Sequence, residues 1–433
     1  MYTRPTGIFA GCMLVLFSCP ASAWQINYSL EMALGYSDNI TQSEIDPKSE
    51  TLLIPRVNFD ASEEGEVLRA RAVGQVEYRD YLRGVYNNEL RGHLSGVATW
   101  IILPRRLSFD FEDYAAVQPV NILAPNTPAN QQQTNVFTLG PTFNFRLYQT
   151  LNGLAELRFT SSTASETKEF NSNRVLGAVR AVKELNPLDT LSANIEGQNV
   201  HFTQSGSNSD YDLLDAYARY TSKLTQLDLD FSGGYSRVHF ADAGDHSAVI
   251  GHGSVTWRAT ASNTFSAGFQ RRFADASQDI VLEDPAQIVA NAMGTGVLVG
   301  STAITSEVYL EKRLNAGYVF QSDRYHIRID PYYRNLDYLV DHTLDQQAHG
   351  ISGGISYRAR PLWTLAFDAA EETRTFNSIA RRDEDLRFDL SFTDQFARQW
   401  SVRFDLIRNE RNSDAFGQSY RENIAFATLI FKR

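Results

Sequence analysis

Leu386-Arg387-Phe388-Asp389-Leu390-Ser391-Phe392-Thr393 alternates apolar and polar residues without a break. One face of this stretch is Leu, Phe, Leu, Phe, and the other is Arg, Asp, Ser, Thr. A period of two is the signature of a β-strand with unlike faces. In a soluble sandwich the apolar face would pack on a core and the polar face would meet water. In a closed membrane barrel the apolar face meets lipid and the polar face lines a wet interior.

The same alternation recurs along the chain. Leu107, Phe109 and Phe111 share a face opposite Ser108, Asp110 and Glu112, and Val402, Phe404 and Leu406 oppose Ser401, Arg403 and Asp405. Following it from turn to turn, from residues 26–39 through to 419–431, predicts about 20 strands, within a range of 18 to 22. The connections take turns in length. Short ones include Leu103-Pro104-Arg105, Gln321-Ser322-Asp323 and Ala359-Arg360-Pro361; long ones include residues 41–50, 118–133, 203–210, 274–300 and 410–418. Short periplasmic turns and long external loops are what an outer-membrane barrel has, whereas a Greek-key sandwich has no reason to gather its long loops at one end. The expected fold is therefore all-β, a single antiparallel transmembrane barrel with both termini on the periplasmic side. Trp100, Tyr148, Tyr220, Tyr235, Trp257, Trp363 and Trp400 fall toward strand ends, where aromatic girdles meet lipid headgroups.

Residues 1–23 read as a secretory signal: Arg4, an apolar run over residues 8–17, and the small-residue cleavage site Ala21-Ser22-Ala23. Lipid attachment at Cys19 is the alternative, with Phe17 an awkward occupant of its motif. The barrel is expected to occupy residues 24–433. Cys12 and Cys19 are the chain's two cysteines and both lie in the signal, which excludes a disulfide scaffold in the remainder. With 51 acidic against 40 basic side chains the chain does not suit nucleic acid. A barrel with a plug domain of the TonB-dependent kind is not expected, because the first strand follows the signal almost at once.

No phosphate loop, dinucleotide fingerprint or His-Glu-x-x-His motif occurs, and no cofactor or catalytic residue is expected. Asp38-Asn39 and residues 242–245 read as solvated loop groups rather than a calcium site. His239, His246 and His252 are spaced like residues on neighbouring strands across a loop, which makes a metal site conceivable there, but none is expected. The expected chemistry lies in the lumen, where Arg69, Arg71, Glu77, Arg79, Asp110, Glu112, Arg146, Glu156, Arg158, Arg324, Arg328, Asp330, Arg387, Asp389, Arg403 and Asp405 fall on polar strand faces. Unpaired burial of so many charges would be prohibitive, so a water-filled channel braced by arginine–carboxylate ladders is expected. Such a lining suits hydrated polar solutes such as saccharides. Residues 118–133 and 274–300 are candidates to fold inward, and Asp275, Asp279, Glu283 and Asp284 would make the resulting mouth acidic and cation-favouring.

Gly35-Tyr36-Ser37-Asp38-Asn39 after the first strand, the Asn186-Pro187-Leu188-Asp189 turn, and Val308-Tyr309-Leu310-Glu311-Lys312-Arg313-Leu314 resemble one group of proteins. It is the outer-membrane β-barrel family of the PEP-CTERM/exosortase system, related to exopolysaccharide-export barrels of the porin-2 kind. The resemblance implies the outer membrane of a Gram-negative bacterium, contact with lipid and lipopolysaccharide, a polysaccharide substrate, and periplasmic export partners. A channel is the first expectation, a non-conducting docking barrel the second, and a membrane-embedded hydrolase the third. The family supplies no catalytic residues to carry over. One departure is that Phe431 is followed by Lys432 and Arg433, whereas such barrels usually end on an aromatic residue.

Overall fold

The computed structural model describes residues 24–204, 210–241, 244–282 and 302–433. The first ten strands are β1 Gln25–Ser37, β2 Glu50–Glu64, β3 Leu68–Tyr81, β4 Glu89–Leu103, β5 Leu107–Pro119, β6 Gln131–Tyr148, β7 Leu151–Ala164, β8 Ser172–Glu184, β9 Asp189–Phe202 and β10 Tyr211–Lys223. The second ten are β11 Leu227–Phe240, β12 Gly244–Arg258, β13 Asn263–Ala274, β14 Tyr309–Gln321, β15 Tyr325–Tyr338, β16 Gln346–Arg360, β17 Trp363–Phe376, β18 Arg381–Asp394, β19 Trp400–Ser413 and β20 Tyr420–Lys432. One short helix, α1 Ala276–Leu282, follows β13.

Each strand pairs antiparallel with its sequence neighbours, and β1 pairs with β20. The sheet is closed and has no edge, which satisfies every ladder within lipid. The seam is firm at both ends. Asp38 accepts from the backbone N–H and the amide of Asn423 at 2.8 and 2.7 Å. Arg433 and Tyr28 exchange both backbone hydrogen bonds at 3.0 Å. The two basic residues beyond Phe431 thus continue the closing ladder, and Phe431 packs on Trp400 with ring centroids 5.1 Å apart.

Alternation sorts side chains as expected for a barrel in lipid. Phe388 and Leu390 of β18 and Phe404 and Leu406 of β19 face outward, and Leu406 is 59% exposed. An apolar band this exposed in water would be an aggregation surface; around a closed barrel it is the lipid contact, and the chain is an outer-membrane β-barrel. Trp100, Tyr148, Trp257, Trp363 and Trp400 lie at the ends of strands that meet the short turns, forming the periplasmic girdle, with Tyr220 close by. Tyr235 departs from that expectation and sits on the outer face in mid-strand.

The loop between β5 and β6 is shorter than expected, because its glutamines hold the strands together. Gln133 donates to the carbonyls of Gly92 and Ala116 at 2.8 and 3.0 Å, and Gln132 donates to Thr167 at 2.7 Å. Gly140 marks a close approach within the wall: a Cβ there would fall against the Leu157 carbonyl oxygen.

Candidate functional site: a lumen in two parts

The long loops define an outer end and the short turns an inner, periplasmic end. Two long loops turn into the barrel at the outer end. From β13, α1 reaches the far wall, where Ala276, Ile280 and Ile304 pack with Tyr114 of β5, Val136 of β6, Ala164 of β7 and Phe170. Residues 120–130 cross the other way: Ile122 packs with Ala303 and with Phe376 of β17, and the Ala124 carbonyl accepts from Arg411 of β19 at 3.3 Å. The two loops meet inside the lumen.

Ion pairs fix this layer to the wall. Asp275 is bound by Arg174 of β8 and accepts from the Tyr211 hydroxyl of β10 at 2.8 Å. Ser277 joins them, accepting from Arg174 at 2.8 Å and donating to Asp275 at 2.7 Å. Asp279 is bound by Arg334 of β15 and by Arg272 of β13 at 3.0 Å, and it accepts from Thr302 and the Tyr309 hydroxyl at 2.6 Å each. Glu311 completes the group, 3.0 Å from Arg272 and 2.8 Å from Arg334. Burial alone would raise the Asp279 carboxyl, but Arg334 and Arg272 outweigh it and hold it at about 2. Burial likewise acts to raise the Asp275 carboxyl, and Arg174 with Ser277 more than reverses it.

These contacts correct the expectation of an acidic, cation-favouring mouth. Asp275 and Asp279 face arginines rather than a pore, so their charge is spent on holding the loop. Glu283 and Asp284 lie outside the described residues. The loop residues that turn inward were legible as candidates; their wall partners Arg174, Arg272 and Arg334 were missed. Arg271-Arg272 hid the signal, since strand parity had to say which of the two points inward.

Water around the charged side chains of the lumen was also expected, and for those of the outer part this is corrected. Glu77 and Arg79 of β3 lie within the packed outer part, 1% and 2% exposed, with Arg79 Nε 2.6 Å from Glu77 and Arg56 Nη2 2.9 Å from it. Charges here are tolerated because each is matched at hydrogen-bond distance, not because water reaches them.

Toward the periplasm the lining opens and the remaining sequence-derived candidates appear. Arg158 of β7 binds Asp110 of β5 at 2.8 Å and approaches Glu156 at 3.6 Å; Arg180 of β8 bridges Glu156 at 2.6 Å and Glu196 of β9 at 2.9 Å. Thr99 and Thr142 donate to Asp110 at 2.8 and 2.7 Å, and the Tyr217 hydroxyl donates to Glu196 at 2.6 Å. One continuous polar network therefore runs from β4 to β10. Arg71 pairs with Asp60 at 3.2 Å, Arg328 with Asp330 at 3.2 Å, Arg387 with Asp389 at 3.6 Å and Arg403 with Asp405 at 3.0 Å. Glu112 lies beside Asp110 on the lumen face of β5, and Arg69, Arg146 and Arg324 are exposed toward the inner rim.

The histidines do not converge. His239 alternates outward on β11 and sits 2.5 Å from Asp245, while His246 and His252 alternate inward on β12. Among the described residues no group of three or more His, Cys, Asp or Glu side chains is arranged to hold a metal.

No protein-family model matches the chain, and no curated protein matches its sequence. Solved structures with a similar strand arrangement include a ferric enterobactin receptor of Pseudomonas aeruginosa with enterobactin bound, 10% identical, covering 94% of this chain and 81% of that one at a TM-score of 0.48. The copper transporter OprC is 9% identical over 95% of this chain and 80% of its own, at a TM-score of 0.47. A loop-deleted form of OmpT, an outer membrane protein of Vibrio cholerae, is 11% identical over 96% and 100%, at a TM-score of 0.36.

Proposed function

We propose that the chain is a transport barrel for hydrated polar solutes of the saccharide class, loaded from the periplasm. The observation that carries this reading is the unequal lumen. Its inner part is open and lined by interleaved guanidinium, carboxylate and hydroxyl groups, which exchange hydrogen bonds with a polyhydroxylated solute at little cost. Its outer part is filled by α1 with its flanking residues, held by a few identifiable ion pairs, and by residues 120–130, held by apolar packing and the Ala124–Arg411 contact, so passage requires these segments to move. Resemblance to PEP-CTERM-associated and porin-2-type barrels supports a role in surface export, with periplasmic export partners at the inner end and lipopolysaccharide around the outer band.

The packed outer layer also favours a second reading, a non-conducting docking barrel. Planar-bilayer conductance separates the two, comparing the refolded chain with the Asp275→Asn/Asp279→Asn variant. Rare steps in the former, stable steps in the latter, and interruption by saccharide fragments added on the periplasmic side are the expected results. A folded variant that never conducts would replace the channel by the docking reading.

A further inference from the structure

The lumen answers most of its arginines with carboxylates, but at the inner rim two stand together unanswered. Arg358 of β16 donates its backbone N–H to the carbonyl of Arg324 at 2.8 Å, one step beyond the Tyr325–Tyr357 pair. Those two tyrosines stack at 4.8 Å, and Tyr325 with Ile327 and Ile329 makes the apolar face of β15. Alternation therefore turns Arg324 and Arg358 to the lumen side, next to His326 and Arg328. Both are exposed, and among the described residues neither has a carboxylate within ion-pair distance.

The row continues without an acid. Thr364 of β17 lies opposite Arg358, Thr393 of β18 opposite Thr364, and Arg403 of β19 opposite Thr393. Like charges on facing strand positions are destabilising. A neutral or acidic neighbour would relieve them, as Asp330 does for Arg328 two residues away. Two adjacent guanidinium forks flanked by hydroxyls match the geometry of a carboxylate or phosphate. Arginines at a pore mouth also favour anions.

We infer that Arg324 and Arg358, with Thr364 beside them, form an anion-receiving rim that binds the carboxylate or phosphate group of a solute approaching from the periplasm. The inference rests on the transport reading above and narrows its substrate class to acidic solutes.

Equilibrium dialysis of the refolded barrel in detergent tests it, with inorganic phosphate, a hexuronate trimer and a neutral hexose trimer as probes. The anions are expected to be retained and the neutral trimer not. Arg324→Gln/Arg358→Gln is expected to weaken retention at least about tenfold, and Arg324→Lys/Arg358→Lys less, because charge remains without the fork. Arg360→Gln is expected to change nothing, since that guanidinium lies over the Trp363 ring at 4.4 Å. Retention of hexuronate alone assigns an acidic saccharide, and of phosphate alone a phosphorylated solute; either supports the rim. No anion retention, or equal retention by the double Gln variant, overturns it. Retention by a barrel whose Asp275→Asn/Asp279→Asn variant never conducts would remove the transport reading and leave the rim standing.

Discussion

The outer and inner parts of the lumen use the same chemistry, arginine against carboxylate on facing strands, to opposite ends. Arg334 and Glu311 in the outer part have side chains 6% and 2% exposed, whereas Arg219 and Asp230 in the inner part are 47% and 23% exposed. A buried pair cannot lose one partner without leaving a bare charge in a dry site. An exposed pair loses almost nothing, because water takes the place of the missing group. The outer pairs to Asp275 and Asp279 are therefore latches that hold α1 across the lumen, and the inner pairs are a lining available to solutes.

The largest expected effect comes from the outer part. Arg334→Ala leaves Arg272 as the one guanidinium shared by Asp279 and Glu311 and should cost about 3–5 kcal/mol of local stability, read as lost hydrogen-exchange protection over residues 276–282. Asp275→Asn removes the charge that Arg174 answers and should cost about 2 kcal/mol in the same measurement. Equal protection in either variant would show that apolar packing alone seats α1.

Acid should separate the latch from ordinary surface carboxylates. The Asp279 carboxyl is held at about 2, below its unfolded value near 4, so its contribution is complete above about pH 4 and is lost as pH falls through about 2. Protection of α1 is expected to stay level from neutral pH to about 4 and to fall below 3. Loss already at pH 5 would mean that another group controls the loop.

The smallest effect belongs to the inner part. Arg219→Gln breaks the contact to Asp230, where the Nε–Oδ1 distance is 2.8 Å, yet should shift urea unfolding of the barrel by no more than about 1 kcal/mol. A loss as large as that of Arg334→Ala would erase the distinction between the two parts.

What the sequence made legible was periodic. Strand number, outward face and the short-turn end all follow from alternation, since a barrel wall repeats one rule at every strand. Loops obey no such rule. Asp275 and Asp279 were visible as acidic loop residues, but their partners Arg174 and Arg334 lie far along the chain and on other strands. Arg79 shows the same limit on a strand: its inward face was readable, while its burial, 2% exposed against Glu77, was not. Arg324, which meets no carboxylate among the described residues, was legible only as a lumen candidate, because its neighbours are set by strand register.

The most direct test of a lumen packed outside and open inside uses one strand. Ser236 and Ser232 of β11 both alternate inward; Ser236 is 1% exposed and lies in the outer part, whereas Ser232 lies toward the periplasm. Because Cys12 and Cys19 both fall in residues 1–23, Ser232→Cys and Ser236→Cys can each be labelled singly in the chain from residue 24 onward. A polar thiol reagent is expected to modify Ser232→Cys at least about tenfold faster, and Asp275→Asn/Asp279→Asn is expected to narrow the gap. Equal rates at the two positions in the otherwise unchanged barrel would contradict a packed outer lumen.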